Sequence, residues 1–73
     1  MGSLHMFKEG DVYLDYAFER MKFRYEKATQ KVFVHFYGMK EVEIDHSDEH
    51  FNEAVSSGKV ITKEQYHSDV AAP

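Results

Sequence analysis

The sequence predicts a small α+β domain, and three stretches carry that expectation. "KVFVHFYG", residues 31–38, is an unbroken β-branched and aromatic run that ends at a glycine and reads as a strand. "EVEI", residues 41–44, alternates carboxylate with apolar side chains, as a second strand would after a tight turn near Gly38-Met39-Lys40. Residues 47–57 then place Phe51, Ala54 and Val55 in one stripe at helical spacing. The expected architecture is a small antiparallel sheet, a hairpin or meander centred on residues 31–37 and 41–45. A helix at 47–57 and a short C-terminal turn pack with it.

Each element has a local justification. Val32, Val34 and Phe36 line one face of the first strand and Phe33, His35 and Tyr37 the other, so packing is expected on both sides. In the second strand Val42 and Ile44 are expected inward, with Glu41 and Glu43 outward. Ser47 is the expected N-cap of the helix, Asp48 and Glu49 favour its positive end, and Ser57-Gly58 closes it. In "VITKEQY", Val60 and Ile61 are expected in the core, and Thr62 with Gln65 forms a capping box for one helical turn.

Residues 12–27 fit two templates. As strands, Met21, Phe23 and Tyr25 alternate with Lys22 and Arg24, and Lys27-Ala28-Thr29-Gln30 makes the turn. Val12, Leu14, Tyr16 and Phe18 alternate in the opposite phase, which demands a bulge or turn near Glu19-Arg20. As a helix, Leu14, Phe18, Met21 and Tyr25 share a face and Asp11 caps it. The strand reading is preferred because it accounts for the aromatic content and the turn at Thr29.

The bulk properties bound the rest. A chain of 73 residues is one domain. "MGSLHM" reads as a cloning leader at 1–5, followed by the domain at 6–68 and a flexible tail at 69–73. So small a core supplies only about 3–5 kcal/mol, although six Phe and five Tyr provide much apolar area. The absence of cysteine excludes disulfides and thiolate zinc sites. No apolar run approaches the roughly 20 residues that a bilayer requires, and no export signal is read, so the expectation is a cytoplasmic protein without a membrane partner. Residues 1–40 hold seven Lys/Arg against five Asp/Glu; residues 41–73 hold two against eight. An acidic total of −4 argues against general phosphate-backbone binding and favours a basic partner.

No nucleophile–base set, cofactor motif or phosphate-cradling glycine loop is present, so no enzyme, catalytic residue or cofactor is expected. His46 and His50 in "DHSDEH" are the weak candidates for metal ligands, but they lack a third ligand and a common helical frame, and the segment reads as a solvated helix start. His35, in mid-strand between Phe33 and Tyr37, reads as a histidine facing solvent or hydrogen-bonded in a second layer, with a pH switch or general base as the alternative. Two surfaces remain. Glu41, Glu43, Asp45, Asp48, Glu49 and Glu53 form a candidate acidic strip for a basic protein surface. Arg20, Lys22 and Arg24 beside Phe33 and Tyr37 form a candidate basic–aromatic face for RNA or single-stranded nucleic acid. The reading is a non-enzymatic protein-interaction module, a regulator or inhibitor of a larger bacterial or phage-encoded assembly. A homodimer is a further expectation, and the nucleic-acid accessory protein is the alternative.

Overall fold

The computed structural model describes residues 10–70. The expected leader at 1–5, and residues 71–73 of the expected tail, lie outside them. In chain order the elements are β1 (Val12–Tyr16), β2 (Met21–Glu26), β3 (Lys31–Phe36), β4 (Val42–Ile44), α1 (Glu49–Ser57), β5 (Lys59–Val60) and α2 (Lys63–Tyr66). The strands form one antiparallel sheet in the order β4-β3-β2-β1-β5. The α+β expectation holds, with a larger sheet than the pair around residues 31–37 and 41–45. β2 occupies its centre.

Residues 12–27 are strands, and the helical template for them is overturned. The phase change that the sequence demanded is a 3-10 turn at Ala17–Glu19, after which Arg20 sits in the left-handed region at φ 55°. That single residue rotates the chain so that Met21, Phe23 and Tyr25 meet Tyr16, Leu14 and Val12 on one face. The β2–β3 turn falls at Lys27–Gln30, with Gln30 at φ 59° and its N–H on the Glu26 carbonyl. Gly38, at φ 74°, supplies the left-handed residue of the β3–β4 turn.

The register sorts the sheet into two faces. On the first, three cross-strand rows run Val12–Tyr25–Val32–Ile44, Leu14–Phe23–Val34–Val42 and Tyr16–Met21–Phe36. α1 packs there. Phe51 meets Phe23 with ring centroids 5.9 Å apart, and Ala54 is fully buried among Val12, Leu14 and Val32. The helix starts beside the end of β4 and ends next to β5, which pairs with β1 at Leu14, so it crosses the sheet diagonally. Nine residues make a helix about 13.5 Å long, whereas five strands at about 4.8 Å span about 19 Å. One corner of this face must stay uncovered. It is the corner at β3 and β4, where Phe36 is 53% and Val42 60% exposed. Val42 therefore points toward the helical side without reaching cover, contrary to the expected inward packing.

Three local expectations are corrected. Asp48 is the N-cap, accepting from the Phe51 N–H, and α1 begins at Glu49 rather than 47. Ser47 is held instead by Asp45, to which its N–H and hydroxyl both donate at 2.9 Å. Gly58 closes the helix in an extended conformation, and it must be glycine because a Cβ would fall 2.5 Å from the Ala54 carbonyl oxygen. Val60 is 60% exposed on the edge strand, and Ile61 alone enters the core. The Thr62–Gln65 capping box is present in both directions. No helix among the described residues is long and apolar enough to cross a membrane.

Phe23 is the central side chain of the first face and fully buried. Phe23→Ala should cost about 3–5 kcal/mol, comparable to what so small a core supplies. Urea unfolding followed by far-ultraviolet circular dichroism should find the variant largely unfolded at 25 °C.

Candidate protein-binding surface

The second face of the sheet decides what the basic–aromatic residues can do. A row runs Lys59–Asp15–Lys22–His35 across β5, β1, β2 and β3, and a parallel row runs Tyr13–Arg24–Phe33–Glu43. Asp15, Lys22 and His35 are all buried, Lys22 completely. The cover is α2 and the turn after it. Tyr66 is buried over the sheet, its ring 4.7 Å from that of His35 and 5.6 Å from that of Tyr13.

This polar layer is internally satisfied. Lys22 Nζ donates to the carbonyls of Gln65 and Ser68 at 2.5 and 2.8 Å, and lies 5.3 Å from the Tyr37 ring. Carbonyls at and just past a helix C-terminus favour a cation, so a buried ammonium fits there beside the Ser68 N–H that Gln65 also accepts. His35 places Nε2 and Nδ1 each 2.9 Å from a carbonyl, of Tyr66 and Phe36. A neutral ring donates to one of them; the imidazolium satisfies both. The Tyr37 hydroxyl donates to Asp15 at 2.6 Å, and burial, then that carboxylate, push its pKa up. No buried side-chain nitrogen or oxygen among the described residues lacks a partner.

Arg24 is similarly engaged. Its guanidinium makes two 2.9 Å bonds to Glu41 and one of 3.1 Å to Glu26, and stacks 4.1 Å from the Phe33 ring centroid. Its bond to Arg24 holds the Glu41 carboxyl below its ordinary range, helped by the Tyr66 hydroxyl, which donates at 2.6 Å. Tyr66 is pushed upward in turn, first by burial and then by Glu41. Arg20, Lys22, Arg24, Phe33 and Tyr37 are thus near one another, but two of the three cations are spent inside the fold. Only Arg20 is exposed.

The acidic set is divided in the same way. Glu41 belongs to the Arg24–Tyr66 cluster, and Glu43 lies on the second face with Lys31 at 3.9 Å. Asp45 and Asp48 are turned to backbone N–H groups at the helix start, and the Ser47 N–H lowers the Asp45 pKa. Glu49 and Glu53 are exposed on α1, where Glu53 accepts from the Tyr16 hydroxyl at 3.3 Å. The six do not form one row. They do share a segment, Glu41 to Gly58, that holds no lysine or arginine. His46 Nε2 meets the Gln30 carbonyl and its ring meets Tyr25 edge-on; His50 is exposed on α1. Among the described residues no group of three His, Cys, Asp or Glu is placed to hold a metal. A shallow cavity of about 190 Å³ lies between His35, Glu41, Tyr66 and Asp69.

Comparison with known proteins adds to this geometry. The Tis1 immunity protein family matches over residues 2–69. The chain belongs to that family. "Immune protein Tis1" of Pseudomonas aeruginosa (strain UCBPP-PA14) is 34% identical over 64 residues, covering 85% of this chain and 83% of that protein. A chain of the crystal structure of the complex between the Type VI effector Tas1 and its immunity protein superposes with a TM-score of 0.80. It is 35% identical, over 84% of this chain and 83% of that one. As a bacterial immunity protein of this family, the chain is a protein-interaction module. Sequence reasoning assigned no contact role to the large apolar side chains that are exposed among the described residues, Phe18, Met39, Val60, Val70 and, at the corner that α1 leaves open, Phe36 and Val42. The signal for that corner was available in the mismatch between a short helix and a wide sheet.

Two outcomes follow from the polar layer. Lys22→Met removes the donor to two carbonyls; that of Gln65 keeps the Ser68 N–H, while that of Ser68 loses its ammonium partner, and a part-buried group left unpaired costs about 1–3 kcal/mol. Its urea midpoint should fall, and amide exchange in residues 66–68 should accelerate more than in β2. Glu41 has a lowered folded-state pKa, so its pairing stabilises the fold at and above the ordinary value of 4.5. That contribution is lost as the pH falls below 4.5 through the folded value. Glu41→Gln lacks this titration, so the stability gap between wild type and variant should narrow on acidification when urea midpoints are compared across that window.

Proposed function

We propose that this chain is a non-enzymatic immunity protein. It binds a type VI secretion effector related to Tas1 and keeps that effector from acting on the cell that makes it. The observation that carries this reading is the superposition, at 35% identity, on a chain from a Type VI effector–immunity protein complex. Cytoplasmic action, before the effector leaves the cell, belongs to the same reading.

The charge distribution supports it. A segment with six carboxylates and no lysine or arginine between Glu41 and Gly58 favours a basic protein surface. Within it, Asp45, Asp48, Glu49 and Glu53 keep negative charge at the start of α1 and along it, while Glu43 faces Lys31 on the second face and Glu41 serves the fold through Arg24. The nucleic-acid alternative is weakened, because Lys22 and Arg24 are engaged with carbonyls and carboxylates and do not reach a phosphate.

The test is protection. The Tas1-type effector of the source strain, expressed in a susceptible host, should arrest growth, and co-expression of this chain should restore it. Size-exclusion chromatography of the mixed proteins should give a stoichiometric complex that survives nuclease. Arrested growth despite co-expression, with no complex, would overturn the reading.

A further inference from the structure

We propose that the effector anchors on the uncovered apolar corner of the first sheet face, formed by Phe36 and Val42 and extended through Tyr16 to Phe18. The inference rests on the immunity reading above and names the surface that serves it. Surface apolar residues normally occur singly, and a contiguous set marks a contact site. Here Phe36 is 53%, Val42 60% and Phe18 84% exposed. The register and the ring contacts connect them. Phe36 ends the row Tyr16–Met21–Phe36, Val42 pairs with Val34 on the neighbouring strand, and the Phe18 ring lies 6.2 Å from that of Tyr16. The diagonal course of α1 leaves this corner open, and no segment among the described residues covers it. On the opposite face α2 and Tyr66 cover the sheet, and the shallow cavity there is lined mainly by polar side chains, with Met39 at its edge.

Charge identifies the kind of occupant. The corner is bordered by Glu19 and the exposed Arg20 at the 3-10 turn, by Glu53, which reaches Tyr16 from α1, and by the exposed Lys40 at the β3–β4 turn, so the rim is mixed in sign on that side. Beyond β4 lies the segment free of lysine and arginine. The fitting partner surface is an apolar projection with lysines or arginines on the side that meets β4 and α1. Aromatic anchors at the centre with charge at the rim is the division of labour of tight protein interfaces.

The experiment measures binding of the chain to the Tas1-type effector of its own strain by calorimetry. Phe36→Ser with Val42→Ser should weaken binding about 30-fold or more. Lys63→Ala with Glu64→Ala, exposed on α2 over the other face, should leave it unchanged. Both changes replace exposed side chains, and an unaltered urea midpoint will show that the fold is kept. Phe18→Ser, at the most exposed position, repeats the test away from the sheet and should weaken binding in the same direction. Wild-type binding that none of the apolar changes alters would overturn the anchor while leaving the immunity function in place. Absence of wild-type binding would overturn the immunity reading itself. A free-chain dimer in sedimentation that Phe36→Ser dissociates would assign the corner to self-association and overturn the effector anchor.

Discussion

The buried ammonium of Lys22 constrains one whole side of the molecule. A charge removed from water on a central strand must find several partners, and the strand alone offers none on that face. The carbonyls of Gln65 and Ser68 provide them, which pins the last helical turn over the sheet. With the turn in place, Tyr66 is buried against His35, its carbonyl meets Nε2 of that ring, and its hydroxyl reaches Glu41. Glu41 in turn holds Arg24, and Arg24 lies against Phe33. A helix of four residues, too short to be stable alone, is kept by these contacts and by its capping box.

The two faces of the sheet therefore differ in kind. One is a closed polar layer whose charges are committed to the fold. The other is an apolar core under a helix too short to span it. The small size of the domain makes this asymmetry unavoidable: nine helical residues bury Phe23, Leu14 and Val32 but not Phe36 and Val42. Surface left over from an economical core is available for recognition, and membership in an immunity protein family supplies a reason for it.

Much of the fold was legible in residue order. Alternation identified the strands, the phase break between Tyr16 and Met21 located a turn, and Thr62 with Gln65 marked the start of the last helix. The N-cap was misplaced by one residue because Ser47 and Asp48 are both good caps, and Asp45 captured the serine. The candidate sites were less legible. Alternation told that Lys22 and Arg24 share a face with Phe33 and Tyr37, yet not that α2 would close over that face. Glu41 looked like its neighbours in the acidic run, and only its approach to Arg24 from seventeen residues away separates it.

What the sequence determined by itself is periodicity, capping and charge: a two-residue repeat for strands, a 3.6-residue repeat for the helix, and an acidic second half. These are properties of neighbouring residues, so they need no knowledge of the far parts of the chain. Burial depends instead on what lies above a side chain. Tertiary structure alone decided that Lys22 is enclosed and Phe36 open, because α2 is docked across the one and α1 ends short of the other.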